Sequence, residues 1–506
     1  MSKLSDIFRR RARSHNAKNP PEALTTPLHA AMDARHLAAL RDLLSENADI
    51  YAPDGLGRSA LVYAVEKNDR AAAELILSFS TDGIDQTSAF GTALMIAAQN
   101  GDRDMAALLL AHGADINAAD KEGTTPLMAA QFQKQHDMMA FLLAGGADAA
   151  ARRINDENAL HLAAMQDDIV ALDMLLAHGA AADINRQKKI GKDTPLMKAV
   201  RARSHAAAQK LLAAGADPHI PDSLMQTPLH AAVMANDLRM IHILTVEGHA
   251  DINKVSHTCL YTPLHTAAFE QNAAAARALI RLGADPHQPD DQGRTPLCVA
   301  GWNGGTEAAR YFLEEVEPET DATLAAQRRA AALYDAIFYQ HRDTAHYLLD
   351  SGKVDVNICV RGADFMLHAA VRNRDMEMVE KLLAAGADPD AVTPAGAHAL
   401  MCAVGGGNAE MVARLLQAGA NPNLPASDEL PLMKAIESDK PELVSLLLAH
   451  GADPRLQDRY ARNALDLAQL RGRTNLSPLL QAALEGYGNT PAAVKKAKGF
   501  QGPRAG

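Results

Sequence analysis

The sequence predicts an all-α solenoid, in which short helix pairs stack in chain order and are joined by finger-like turns. Aromatic residues make up only 4% of the 506 residues while hydrophobic residues make up 48%, so the apolar content is mostly aliphatic, which suits closely packed helices. A tetrapeptide with leucine at its third position returns about every 33 residues, and a leucine-rich stretch ending on glycine follows most copies. A period of this length, kept along most of a chain, is the signature of repeat architectures.

The recurring tetrapeptide fixes where each repeat starts, and six of the fourteen copies read Thr-Pro-Leu-x. Consecutive starts lie 32 to 36 residues apart, which predicts about fourteen repeats. The copies begin at Thr26, Ser59, Thr92, Thr125, Asn158, Thr194, Thr227, Thr262, Thr295, Ala331, Phe365, His398, Leu430 and Asn463.

The tetrapeptide predicts the beginning of a first helix in each repeat. In the copy at Thr125, the threonine hydroxyl suits an N-cap and Pro126 suits the first helical turn, where its missing N–H costs nothing. Leu127 then begins an apolar face. This helix is short, because an Asn, Gly or Asp turn such as Gly101 follows it after about eight residues.

A second helix and a finger complete each repeat. The second helix carries paired leucines and ends on a glycine such as Gly113, the residue that best adopts the left-handed conformation of a helix C-terminus. Asp115 and Asn117 follow and favour turns, so the chain is expected to form a finger that leads to the next threonine. One such pair cannot bury its own leucines, so neighbouring repeats must stack.

The leucine-rich half of the repeat resembles the ankyrin repeat family. The carrying stretches are LLLAHGADIN from Leu108, LLAAGADPD from Leu382 and LLLAHGADP from Leu446, and the resemblance covers about residues 22–485. It implies an ankyrin-type solenoid that binds proteins through its finger tips and first helices, as a scaffold or adaptor without chemistry of its own. It also implies that histidines at the fourth tetrapeptide position tie one finger to the next. These are His29, His161, His230, His265 and His368.

Departures from the period predict the domain organisation. Residues 1–21 form a basic, disordered segment, residues 22–313 form repeats 1 to 9, and residues 331–485 form repeats 10 to 14 with a C-terminal cap. Residues 314–330 form an acidic, irregular connection, because carboxylates replace the usual Gly-Ala-Asp turn there, and residues 486–506 form a basic, disordered tail. The weakened connection predicts two sub-stacks.

The charge distribution argues against extended nucleic-acid binding. The net charge is -11, and because the two terminal segments carry +5 and +4, the repeats carry -20. An acidic body repels a phosphate backbone, so the alternative that remains is a binder of nucleic acid or anionic surfaces through the basic tails. No apolar stretch reaches the roughly 18 to 20 residues of a membrane span. A monomeric, cytoplasmic protein is expected, with an exported effector acting in a host cell as the alternative.

The sequence offers no motif for catalysis, a cofactor or a metal. It contains neither HExxH nor a Cys/His cluster. Its four cysteines, Cys259, Cys298, Cys359 and Cys402, are expected to be reduced rather than paired in disulfides, and none is expected to act as a catalytic nucleophile. The glycine-rich stretches 301–305 and 405–407 fall between the two helices of a repeat and lack a phosphate-binding continuation. No intrinsic enzymatic activity is expected, and an enzyme with a site hidden in the repeats is the alternative.

A stripe of large residues is the candidate partner-binding site. The position seven residues after the start is large in seven consecutive repeats, whereas other repeats mostly hold polar residues or glycine there. The stripe, with two flanking tyrosines, consists of Phe132, Met165, Arg201, Met234, Tyr261, Phe269, Trp302, Phe338 and Tyr339. Exposed aromatic side chains with arginine are typical of interface hot spots, so we expect a protein to dock there, on the concave face. The alternative is that these side chains pack between neighbouring helices.

Overall fold

The all-α prediction is confirmed by the computed structural model, which describes residues 26–256, 260–316 and 320–488. Within these ranges the chain forms helices in repeating pairs and isolated bridges, with no β-strand. The predicted basic segment 1–21 and residues 489–506 of the predicted tail lie outside the described residues. Residues 486–488 of that tail belong to the last helix.

Helices with odd numbers are the first helices of the repeats, and helices with even numbers are the second helices. In chain order they are α1 Pro27–Asp33, α2 Leu37–Ser45, α3 Ala60–Glu66, α4 Arg70–Phe79, α5 Ala93–Asn100, α6 Arg103–Ala111, α7 Pro126–Phe132, α8 His136–Ala144, α9 Ala159–Met165, α10 Ile169–Ala177, α11 Pro195–Ala202, α12 His205–Ala213, α13 Pro228–Met234, α14 Leu238–His242, α15 Pro263–Phe269, α16 Ala273–Arg281, α17 Pro296–Asn303, α18 Thr306–Glu314, α19 Ala322–Phe338, α20 Arg342–Asp350, α21 Met366–Arg372, α22 Met376–Ala384, α23 Ala399–Gly406, α24 Ala409–Gln417, α25 Pro431–Glu437, α26 Pro441–Ala449, α27 Ala464–Leu470 and α28 Ser477–Gly488. Helix α14 continues as a π-helical turn over Ile243–Glu247.

All first helices except α19 begin where the tetrapeptide predicts. The Thr92 hydroxyl accepts a hydrogen bond from the Met95 amide at 3.2 Å, and the Thr194 hydroxyl does the same for Met197 at 3.1 Å. These side chains satisfy amides that the helix itself leaves without partners. Helix α5 ends at Gly101, whose φ of 70° is left-handed.

Six of the second helices begin on a side-chain cap, and the second helices bury leucines against the stack. The Asp102 carboxylate accepts from the Met105 amide at 2.9 Å, and Asp237 accepts from Met240 at 3.0 Å. Leu109, on helix α6, is fully buried. Each leucine row is covered only by the neighbouring repeats, so the core runs through the stack as a series of interfaces.

The fingers are closed by a carboxylate and connected to one another by side-chain amides. Asp120 accepts from the amides of Glu122 and Thr124 at 2.9 and 2.7 Å, which fixes the tip of its finger. The Asn117 side chain accepts from the Asp148 amide of the next finger at 2.8 Å. The same bond joins Asn423 to Asp453 at 2.7 Å, so successive fingers are held in register.

The described chain divides into two compact units. Among the described residues, the first unit ends at Pro263 and the second begins at Leu264. The first unit holds helices α1 to α14, and nearly all of α15 to α28 lies in the second. Both sides of the acidic connection therefore belong to the second unit.

The acidic connection is shorter than its predicted bounds of 314–330. Helix α19 begins at Ala322, because the Asp321 carboxylate accepts from the amides of Thr323 and Leu324 at 2.9 and 3.0 Å. Ala331 therefore lies inside this 17-residue helix, and the expectation that it begins a helix is wrong. Residues 317–319 lie outside the described residues.

We expect limited proteolysis of the folded protein to cut first, among interior sites, between residues 315 and 321. Several contacts join the two sides of this stretch, including a hydrogen bond from Tyr347 Oη to Glu314 at 2.7 Å, but helix α18 ends at Glu314 and helix α19 begins only at Ala322. Mass spectrometry of early fragments locates the cut. First cuts at the finger turns, with the connection intact, would contradict a weak link there.

Candidate functional site

Eight of the nine stripe residues lie at or near the C-terminal ends of first helices, where the chain turns towards the second helix, whereas Tyr261 lies two residues before helix α15 begins. None of the nine is buried. Phe132, Met165, Tyr261 and Trp302 are partly exposed, and Arg201, Met234, Phe269, Phe338 and Tyr339 are exposed. Their side chains therefore reach solvent, rather than being enclosed between helices.

In the first compact unit the stripe is held through polar contacts. The Arg201 guanidinium pairs with the Asp193 and Asp222 carboxylates at 2.6 and 2.5 Å. The side chain of Met234 is 42% exposed. The stripe here presents one arginine among apolar side chains.

In the second compact unit the stripe becomes a contiguous group of rings. We call Phe269, Trp302, Phe338 and Tyr339 the aromatic cluster. Its ring centroids are 5.7 Å apart for Phe269 and Trp302, 6.0 Å for Trp302 and Tyr339, and 5.1 Å for Phe338 and Tyr339. These separations and the edge-on orientations of the last two pairs are those that aromatic quadrupoles favour. Phe269, Phe338 and Tyr339 are 36%, 45% and 49% exposed.

The backbone beneath the aromatic cluster is fixed by hydrogen bonds between repeats. His341 Nε2 donates to the carbonyl of Trp302 at 2.9 Å, and the side-chain amide of Asn303 donates to the carbonyl of Phe269. Asn373 likewise donates to the carbonyl of Ile337 at 2.6 Å. The rings are therefore carried on backbone whose positions are set by neighbouring repeats.

A pairing that sequence reasoning missed positions the stripe. The side chain seven residues after a repeat start contacts the residue just before that start, at the corner between finger and helix. Arg294 lies over the Trp302 ring, with its Cζ 4.9 Å from the centroid, and the Arg372 guanidinium pairs with the Asp364 carboxylate. In the first compact unit Asp193 meets Arg201 in the same way. The constant offset of eight residues was a signal for these contacts. We call them corner pairs.

Buried carboxylates lie behind the aromatic cluster. Asp335, 2% exposed, accepts two hydrogen bonds from the Arg361 guanidinium at 3.0 and 2.7 Å. Burial raises the pKa of Asp335, and the Arg361 charge opposes that shift. Tyr334 stacks on Phe338 at 5.9 Å and donates to Asp364 at 3.0 Å, and burial together with this carboxylate raises the pKa of Tyr334 to about 12.

The tetrapeptide histidines connect fingers as the resemblance implies. Nε2 of His29, His161, His230 and His265 donates to the carbonyl at the end of the next finger, at 3.1, 3.2, 3.0 and 3.0 Å respectively. Burial lowers the pKa of His161 to about 4. Burial also lowers the pKa of His29 and His265, so these two rings and that of His161 act as neutral structural donors.

His368 departs from this arrangement. Among the described residues its buried Nδ1 has no hydrogen-bond partner, because Phe365 stands where the repeats of His29, His161 and His230 hold a threonine or asparagine that bonds Nδ1. Burial lowers the pKa of His368 to about 4, and the Asp364 carboxylate, 3.7 Å from Nδ1, partly opposes that shift.

The described residues bring together no group of three His, Cys, Asp or Glu side chains that could hold a metal ion. Cys298 is buried, and burial raises the pKa of its thiol, so the reactive thiolate is disfavoured. Gly304 and Gly407 have φ values of 75° and 68° and begin the turns that were predicted, but residues 301–303 and 405–406 of the two glycine-rich stretches belong to the ends of helices α17 and α23. In the part of the chain that the structure describes, no helix is long and apolar enough to cross a membrane. The surface can supply apolar contact, ring stacking and hydrogen bonds.

Family models match most of the chain. The model described as ankyrin repeats in three copies matches residues 61–153, 140–222, 196–290, 229–324, 264–359 and 367–458, and the single ankyrin repeat model matches residues 24–55. Together these matches cover most of the described residues.

Relatives share only parts of their length with this chain. A mouse B-cell lymphoma 3 protein homolog is 32% identical over 186 residues, which are 36% of this chain and 41% of the relative. A Caenorhabditis elegans homolog of transient receptor potential cation channel subfamily A member 1 is 36% identical over 116 residues, 23% of this chain and 9% of the relative. Human neurogenic locus notch homolog protein 1 is 33% identical over 133 residues, 26% of this chain and 5% of the relative. The crystal structure of the ankyrin repeat domain of Bcl-3 matches with 28% identity and a TM-score of 0.38, over 41% of this chain and 92% of that chain.

Proposed function

The chain belongs to the ankyrin repeat family, and from this membership we propose that it is a non-catalytic scaffold or adaptor that binds a protein partner. Ankyrin repeats are generally protein–protein interaction modules. The partner would dock on the aromatic cluster, with the stripe of the first compact unit as a further contact surface.

The exposed aromatic cluster carries this proposal. The chain contains one tryptophan and ten phenylalanines in 506 residues, yet Trp302 contacts Phe269 and is linked to Phe338 through the Tyr339 ring at the surface. Exposed rings in contact lower the solubility of a folded chain unless something covers them. In protein interfaces, large rings flanked by arginine contribute most of the binding energy.

We expect the substitution Phe338→Ala to weaken partner binding roughly 30-fold while leaving the free energy of unfolding within about 1 kcal/mol of the wild type, since hot-spot truncation costs about 2 kcal/mol of binding energy. The ring is 45% exposed, so its removal creates no buried cavity. Leu470→Ala is the matched control, because Leu470 occupies the same repeat position and is 63% exposed outside the aromatic cluster. Titration calorimetry with the purified partner measures both variants.

The partner protein can be identified with a photo-crosslinking amino acid. Placed at position 338 in the source cell, it should capture a protein that the same amino acid at position 470 does not capture. Equal capture from both positions, or full binding by Phe338→Ala, would remove the aromatic cluster from the interface. A large loss of stability in Phe338→Ala would instead assign the ring to packing.

A further inference from the structure

We propose that the segment seated on the aromatic cluster is acidic, with carboxylates placed among apolar side chains. This inference rests on the proposed function and names the chemistry of the partner. It is carried by the way in which charge is layered at the edge of the aromatic cluster.

At the edge of the aromatic cluster, arginine side chains are exposed to solvent and the aspartates that pair with them are buried. The Arg361 side chain is 45% exposed while its partner Asp335 is 3% exposed. The Arg372 side chain is 44% exposed while its partner Asp364 is 12% exposed. Each ion pair is therefore a dipole whose positive end faces solvent.

The same layering recurs on the stripe of the first compact unit. The Arg201 side chain is 41% exposed above Asp193 and Asp222, which are 4% and 0% exposed. A partner that approaches either unit along the stripe meets guanidinium groups before it meets their carboxylates. The positive charge of these guanidinium groups is opposite in sign to the net charge of -11 for the whole chain.

These guanidinium groups keep donors for a partner. Arg361 uses one N–H from each terminal nitrogen on Asp335, and a guanidinium has five N–H donors in total. Charge-assisted hydrogen bonds to a carboxylate are stronger than neutral ones. The aromatic rings, 5 to 6 Å apart, receive the apolar side chains between the carboxylates.

A basic segment fits this edge less well. A cation could be attracted to the indole face of Trp302, but the Arg294 guanidinium already lies over that ring at 4.9 Å. A second cation would meet Arg294 and the outward-facing Arg361 and Arg372, where like charges repel. The layering thus selects for a negatively charged occupant.

The test uses the full chain as bait for a phage-displayed library of random dodecapeptides. We expect peptides enriched in Asp or Glu together with Leu, Ile or Phe. Their affinity, measured by fluorescence anisotropy, should fall at least about tenfold between 50 and 500 mM salt, as screening weakens exposed charge pairs.

The double variant Arg361→Gln with Asp335→Asn keeps a hydrogen-bonded pair without charge, and it should bind about tenfold more weakly with a flatter salt dependence. Arg372→Gln serves as the second variant should the first fail to fold, and Leu470→Ala is again the control.

The outcomes separate this inference from the proposed function. Peptides that require Trp302 or Phe338 but lack acidic residues, or that are basic, would overturn the acidic partner and leave the docking surface in place. Unchanged affinity and salt dependence in both arginine variants would do the same. Recovered peptides that bind equally well after Phe338→Ala would overturn the docking surface itself.

Discussion

Replacing Gly301 with alanine is expected to lower the free energy of unfolding by about 3 kcal/mol, since overpacking against rigid neighbours forces backbone to move. A Cβ at this position would lie 2.3 Å from the carbonyl oxygen of Ala332 and 2.9 Å from its carbonyl carbon. Both atoms belong to the backbone of helix α19, so no side chain can rotate away. The glycine lets α17 and α19 approach closely beneath the aromatic cluster.

Gly405→Ala is the matched control for this prediction. Gly405 also lies near the end of a first helix, but nothing lies within 4 Å of a Cβ added there. Alanine should therefore stabilise the protein by about 0.5 to 1 kcal/mol through its better helix propensity. Urea unfolding compares the two variants, and hydrogen exchange over residues 322–338 locates the loss. Equal effects from both substitutions would show that the close approach does not limit packing.

Acidification is expected to cost the protein several kcal/mol of stability between pH 6.5 and pH 4. The pKa of His161 and of His368 is lowered to about 4 in the folded chain, chiefly by burial, whereas an unfolded histidine titrates near 6.5. Between pH 6.5 and pH 4 the unfolded state therefore binds more protons than the folded state does. The contribution of each neutral ring is complete above pH 6.5 and declines as the pH falls, by about 3 kcal/mol per histidine once pH 4 is reached.

Further tetrapeptide histidines add to this loss. Burial also lowers the pKa of His29 and His265, so protonation of these rings should further lower the free energy of unfolding as the pH falls below 6.5. Urea midpoints at pH 7.5, 5.5 and 4.5 measure the effect. His161→Gln should be less stable at pH 7.5 and show a smaller drop on acidification, while His178→Gln, at an exposed position, should behave as the wild type. A midpoint that stays constant from pH 7.5 to 4.5 would contradict the assignment of neutral, buried rings.

The repeat was predictable from the sequence because its signals are local. A capping hydroxyl, a proline and a closing glycine act within a few residues, and helices such as α7 begin where they indicate. The start assigned at Ala331 was wrong because no capping residue or proline of this kind supports it. The leucine period marked a position, but the cap that begins helix α19 is Asp321, ten residues upstream.

The contacts of the candidate site were predictable only in part. The position of the stripe followed from a constant offset, but the orientation of each ring depends on its neighbours in other repeats. Arg361 and Asp335 lie 26 residues apart, which is not a multiple of the period, and Tyr334 stacks on Phe338 from a tetrapeptide position that other repeats fill with different residues. The period carries no information on such pairs, so they required the structure.

The corner pairs have a consequence for how such a protein can diversify. Arg294 with Trp302, Asp193 with Arg201 and Asp364 with Arg372 each lie eight residues apart along the chain, within one stretch of sequence. When such a stretch is duplicated or exchanged as a block, each outward-facing side chain brings its own inner partner with it. New specificities can therefore be assembled by recombining blocks, with compensating substitutions needed only where a corner has a second partner in another repeat, as Arg201 has in Asp222.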